Sequence, residues 1–213
     1  MIKHSIVEII NISLELFGGK IMNYHTHSAF GLLFTLISVK IIASFELLDI
    51  SYLLSGPLFN GSIIKFYLAA VVGSLMPDID HAQSKMGKLL WFISKPLKFF
   101  GIKHRGLTHS LLGIILFTLL SKQLVNYNWI EYVTWWGLII GYISHIVADM
   151  MNVQGLPLLF PNDKRFKFHS NITTNSGQEQ FLFFIICTAS AIIILQERNY
   201  INLSEIINMI NLN

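Results

Sequence analysis

The chain has 213 residues, enough for one domain with a core, yet apolar residues make up 53% of it and charged residues only 13%. An ordinary globular domain carries roughly 25% charged residues. With sixteen Phe and a mean hydropathy of +0.57, the chain lacks the charge to cover a water-facing surface, which excludes an ordinary soluble protein and points to lipid as the cover. Its net charge of +3 is small, and a single cysteine, Cys187, excludes an internal disulfide and a thiolate metal site, so any metal must rely on His and carboxylates.

Residues 1–21 read as an N-terminal extension. Glu8 and Glu15 interrupt their apolar stretch, and no small-residue cleavage site follows, so a removed signal is not expected. Five apolar segments come next, at about His27–Phe45, Phe59–Met76, Thr108–Leu124, Trp129–Met150 and Gln180–Leu195. A bilayer core of about 30 Å needs about 20 apolar residues as helix. The fourth segment fits well, and the others are short. The expected fold is an all-α integral membrane bundle of about five helices, with residues 22–198 as the functional domain and 199–213 as a tail.

If all five segments span, the stretches before the first, between the second and third, and between the fourth and fifth share one side. They hold eleven of the fifteen Lys and Arg, against four opposite. The positive-inside rule puts the richer side in the cytoplasm, giving an inner-membrane, multi-pass protein. The stretch Lys85–Phe100 interleaves Lys with Trp91, Phe92, Leu97 and Phe99. It suits an amphipathic segment in the headgroup layer, or a folded loop covering the bundle. Its charges are too few and too mixed with apolar residues for nucleic acid.

Polar residues gather at the same segment ends. His25 and His27 open segment one, and Asp78, Asp80 and His81 close segment two. His104 and Arg105 precede segment three and His109 lies in its first turn, His145 and Asp149 end segment four, and Glu179 opens segment five. In an up-and-down bundle six of the eight histidines share one layer; His4 and His169 read as solvated loop residues. His145 and Asp149, four apart, share a helix face about 5–6 Å apart, as two ligands or as a ligand and its orienting carboxylate, with a buried hydrogen bond as the plainer alternative. Asp78 and Asp80 follow Pro77 near a helix C-terminus, whose dipole disfavours carboxylates unless a cation is near. Thr108 reads as an N-cap, with His109 kept neutral by the positive helix end. His104 either ligates or holds its loop. Arg105 suits a phosphate or carboxylate oxygen, or a lipid headgroup. Ser176 and Glu179 fit a capping box, so Glu179 alone reads as structural.

Three motifs, Leu75-Met76-Pro77-Asp78-Ile79-Asp80-His81, His104-Arg105-Gly106-Leu107-Thr108-His109-Ser110 and Gly141-Tyr142-Ile143-Ser144-His145 through Ala148-Asp149, resemble the YdjM-like family of bacterial inner-membrane, metal-dependent hydrolases. Ile93-Ser94-Lys95-Pro96, Gly155-Leu156-Pro157-Leu158-Leu159 and the Glu179 region fit the same pattern, over roughly Met22 to Ala191. Asn152 departs from it, standing where members often carry Thr. The resemblance implies membrane residence, a divalent metal and hydrolase chemistry. More distantly, the helical His-x-x-x-Asp pair is similar to the zinc-dependent phospholipase C and P1 nuclease group, an analogy that favours a phosphoester substrate and more than one ion.

The leading expectation is therefore metal-assisted ester hydrolysis, most simply of a phospholipid or another amphiphilic phosphoester. Ligands without thiolates suit Zn²⁺, with Mn²⁺ as a second choice, and a metal lowers the pKa of its water toward about 7. His27, Asp78, Asp80, His109, His145 and Asp149 are the expected ligands, with His81 and His104 as further ligands or outer partners. Glu179, or a carboxylate not bound to metal, takes the water proton and Arg105 binds substrate oxygen. The alternative is a non-catalytic metal protein, a transporter or metal-stapled scaffold. A transporter wants its polar groups near the midplane, and these lie at one end.

Overall fold

The computed structural model describes residues 22–44, 61–99, 105–168, 173 and 176–197. The N-terminal extension, the tail, His4, His104 and His169 lie outside the described residues. Within them the chain forms α1 (Met22–Ser44), α2 (Gly61–Gly73), α3 (Lys85–Leu89), α4 (Trp91–Phe99), α5 (Leu111–Asn126), α6 (Tyr132–Met150) and α7 (Gly177–Glu197). Two 3₁₀ turns, Met76–Asp80 and Leu107–His109, follow α2 and precede α5. Among the described residues there is no sheet, only one isolated antiparallel bridge between Leu156 and Phe166.

Among the described residues three helices are long and apolar enough to cross a bilayer: Tyr24–Ile42, Tyr132–Met150 and Gly177–Gln196. The helices α1 and α7 start earlier than the apolar runs alone suggest, because polar residues at their N-termini, including His25 and Glu179, continue the helix. With 13 and 16 residues, α2 and α5 reach only about 20 and 24 Å at 1.5 Å per residue. That is short of a ~30 Å core, so among the described residues the structure supports an all-α membrane protein with three long apolar helices and two shorter ones.

The surface is apolar where lipid would lie. Along α5 the pairs Leu111–Leu112, Ile115–Leu116 and Leu119–Leu120 are exposed, while Gly113 and Ser121 are buried. The residues of α7 divide the same way, with Phe181, Phe184 and Ile185 outside and Glu179, Ile186 and Ser190 inside. The α5–α6 corner exposes Tyr127, Trp129, Tyr132 and Trp136, aromatic residues that favour the membrane–water boundary. Leu89, Trp91, Phe92 and Phe99 are exposed on α3 and α4, with the Lys95 ammonium 4.7 Å from the Trp91 ring centre.

The central helix is α6, packed along α2 and against α1. Glycines set its approach to α2. A methyl group on Gly141 would collide with the Ala70 carbonyl oxygen, one on Gly137 with that of Phe66, and one on Gly73 with that of Leu138. Gly141→Ala is accordingly expected to cost about 1–3 kcal/mol, the usual penalty of overpacking. Denaturation in detergent checks this, with Gly177→Ala, which meets open space, as a control expected to leave stability nearly unchanged.

Candidate metal centre

The N-terminal ends of α1, α5 and α7 and the C-terminal ends of α2 and α6 meet at one side of the bundle, so each helix delivers its polar end to the same place. His145 and Asp149, one turn apart near the end of α6, are both buried, with 1% and 4% exposure. The His145 Nδ1 lies 2.7 Å from the Ser74 carbonyl oxygen. A carbonyl only accepts, so Nδ1 carries the proton and Nε2 presents its lone pair. Outer partners of this kind fix the tautomer of a metal-binding histidine.

That Nε2 lies 3.2 Å from the His109 Nε2, 3.7 Å from Asp78 Oδ1 and 3.8 Å from Asp149 Oδ2. The His109 Nε2 lies 3.6 Å from both Asp78 Oδ1 and Asp149 Oδ2. From α1, the His27 ring stacks on His145 at 3.9 Å between centres, its Nε2 3.5 Å from Asp149 Oδ1. Ligand atoms within 4.8 Å of one another thus form two groups that share His145: His27, Asp78 and His145, and His109, His145 and Asp149. Two nitrogens bound at about 2.05 Å to one tetrahedral zinc stand about 3.3 Å apart, close to the His109–His145 separation. The buried His27 Nδ1 also lacks a hydrogen-bond partner, an uncommon state for a buried polar atom. Both observations fit a divalent cation.

The expected ligands Asp80 and His81 stand in neither group. Asp80 is buried on the other side of the His109 ring, 3.5 Å from Nδ1, where its Oδ2 accepts from the Thr108 hydroxyl at 2.5 Å and the Arg105 backbone N–H at 3.2 Å. It orients His109. His81 has an exposed side chain just past the turn. The cap of α5 also differs from expectation. Ser110 is the N-cap, accepting from the Gly113 N–H at 3.2 Å, and His109 belongs to the preceding 3₁₀ turn, so the helix dipole does not govern it.

Charge makes the same point. Burial opposes ionisation of Asp78, but His145, with His109 and His27, holds its carboxyl far below the usual range. Burial also opposes a charge on His109, yet the facing carboxylates of Asp78, Asp80 and Asp149 outweigh it and push the imidazole up to about 9. Without a metal, His109 is therefore protonated at neutral pH, the reverse of the neutral ring expected from a helix end. A cation entering the site must displace that proton. Apparent affinity is expected to climb about tenfold per pH unit from about 6.5 towards 9 and then flatten. Metal titrations at stepped pH check this, and a flat profile would contradict the His109 assignment.

Arg105 reaches the cluster from the opposite wall, Nη2 3.1 Å from Asp149 Oδ1 and Nη1 3.0 Å from Gln154 Oε1. Its backbone sits at φ 59°, a left-handed conformation uncommon outside glycine. That geometry lets one residue hold Asp80 through its N–H and Asp149 through its guanidinium. Beside the cluster opens a cleft lined by His27, Phe30, Arg105, Asp149, Asn152, Glu179 and Leu182 among others. Glu179 is buried in the first turn of α7, and its N–H donates to the Ser176 hydroxyl at 3.3 Å, the cap read from the sequence. Asn152, where a Thr was expected, accepts from the Gln154 N–H at 3.1 Å and so shapes the turn that carries Gln154. Two partners had no sequence signal, the Ser74 carbonyl because it is backbone and Gln154 because it is an ordinary loop residue. The fold alone places them.

The architecture and the cluster together define a helical membrane protein with a buried His/Asp centre fit for divalent metal. Residues 22–210 match the family described as YdjM inner membrane protein, and the chain belongs to that family. It is similar to Inner membrane protein YdjM of Escherichia coli (strain K12) and of Shigella flexneri, 39% identical over 117 residues, covering 54% of this chain and 59% of each relative. The match thus spans about three-fifths of the length of those relatives. The Uncharacterized protein YvsG of Bacillus subtilis (strain 168) is 37% identical over 124 residues, 57% of this chain and 73% of that protein. No solved structure matches significantly.

Proposed function

We propose that the chain is a metal-dependent hydrolase of phosphoesters, set in the bacterial inner membrane with its site at the cytoplasmic face. One observation carries the reading: five buried or half-buried His and Asp side chains converge beside a cleft whose other walls hold a cation, Arg105, and a carboxylate, Glu179. His27, Asp78, His109, His145 and Asp149 would hold the metal, Zn²⁺ by the nitrogen and oxygen donor set. A bound divalent cation supplies Lewis acidity and lowers the pKa of water. The remaining work falls to the chain. Arg105 binds a phosphoryl oxygen with the N–H donors left over from Asp149 and Gln154. Glu179 accepts the proton of the attacking water as the new P–O bond forms. The P–O bond to the leaving group then breaks, and the proton passes to the departing oxygen.

Turnover of a panel of phosphomonoesters, phosphodiesters and short-chain phospholipids, with and without chelator, tests the reading. Chelator-sensitive hydrolysis of at least one is expected. A protein that binds metal yet cleaves none is the metal-stapled scaffold, a reading favoured by the way the cluster ties α1, α6 and both 3₁₀ turns together. The placement of the site at the cytoplasmic face rests on the Lys and Arg asymmetry. In a Cys187→Ser background, Lys88→Cys is expected to react with a membrane-impermeant thiol reagent only from the cytoplasm, and Gln196→Cys only from outside. Labelling of both from one side contradicts this topology.

A further inference from the structure

The lining of the cleft changes from polar to apolar along α1 and α7. The first turns of α1 and α7 enter the bundle side by side from the site end. On α1 the lining residues at the cluster are Thr26 and His27, and three residues beyond His27 it is Phe30. On α7 it is Glu179, and three residues deeper Leu182. At 1.5 Å per residue both helices change from polar to apolar lining within about 4.5 Å of depth, in the same direction. The polar end faces Arg105 and Asp149, and the apolar end runs into the contact between two helices whose outer faces are lipid-like, Phe181 and Phe184 of α7 being 67% exposed each. A site for a small water-soluble ester would have no use for an apolar floor one helical turn from its polar end. An amphiphile matches both ends, with an anionic head at Arg105 and the cluster and a chain along Phe30 and Leu182.

We infer that the cleft binds a single-chain-accessible, lipid-like phosphoester, its alkyl chain leaving through the seam between α1 and α7. The inference deepens the hydrolase reading and rests on it only for the phosphate at the polar end. Its test needs no turnover. The full-length protein in nanodiscs is irradiated with hexadecyl phosphate carrying a diazirine in the chain close to the phosphate, and the adducts are mapped by mass spectrometry. Adducts at Phe30 and Leu182 are expected, suppressed by excess untagged hexadecyl phosphate, while adducts at the outward Phe184 persist. Leu182→Trp, which fills the seam, is expected to reduce labelling at Phe30 by about tenfold with the melting temperature held. Adducts confined to outward positions such as Phe184, or seam labelling that excess probe does not suppress, would overturn the inference. Saturable seam labelling by a protein that cleaves no ester would instead overturn the hydrolase reading and leave this binding site standing.

Discussion

Glu179→Gln is expected to slow ester hydrolysis by about 10²–10⁴-fold, the usual cost of a lost general base, while metal content and melting temperature stay at wild-type values. The reasoning starts from position. Glu179 lines the cleft with His27, Arg105 and Asp149 but stands in neither group of metal-reaching atoms. The substitution keeps side-chain shape and leaves the backbone N–H of residue 179 on the Ser176 hydroxyl, so the cap of α7 survives. A uniform loss of metal, activity and stability would mean that Glu179 is a ligand or a structural residue. Intact activity would remove it from the reaction altogether. Arg105→Ala makes a poorer control than the sequence suggests, because the guanidinium also holds Asp149 and its removal loosens a ligand.

His145→Ala carries the second large effect. The ring contributes to both ligand groups, and its orientation is fixed through Ser74. Metal affinity should fall by more than the roughly 10–100-fold that the loss of an outer partner costs. Activity should fall with it and should not return when metal is added in modest excess. Thermal stability gives an independent reading. A ligand at a hundred times its Kd stabilises the folded state by about 2.7 kcal/mol, so chelation should lower the melting temperature of the wild type and leave that of His145→Ala unmoved. Equal sensitivity of the two to chelator would place the metal elsewhere.

Much of the centre was legible in the sequence because helix periodicity and segment ends are local properties. The four-residue spacing of His145 and Asp149 put them on one face, and the alternation of apolar runs brought His27, Asp78 and His109 to the same layer. Which of the two neighbouring carboxylates faces the cluster was not legible. Asp78 and Asp80 sit in one short motif, and only the path of the 3₁₀ turn sends one carboxylate to the His109 Nε2 and the other to its Nδ1. The charge around His109 was hidden for the same reason, since the facing carboxylates come from α6 and the Met76–Asp80 turn, far apart in sequence. Helix lengths failed differently. Apolar runs mark where lipid or core lies, whereas a helix ends where its caps and turns end it, and so α1 and α7 extend into polar sequence.

The central claim is that this cluster binds a divalent cation, and elemental analysis of the detergent-purified, metal-supplemented protein tests it most directly. At least one equivalent of a divalent metal, Zn²⁺ foremost, is expected to be retained through gel filtration, removed by chelator and absent from His145→Ala. A folded wild-type protein that retains no cation at micromolar free metal would contradict it.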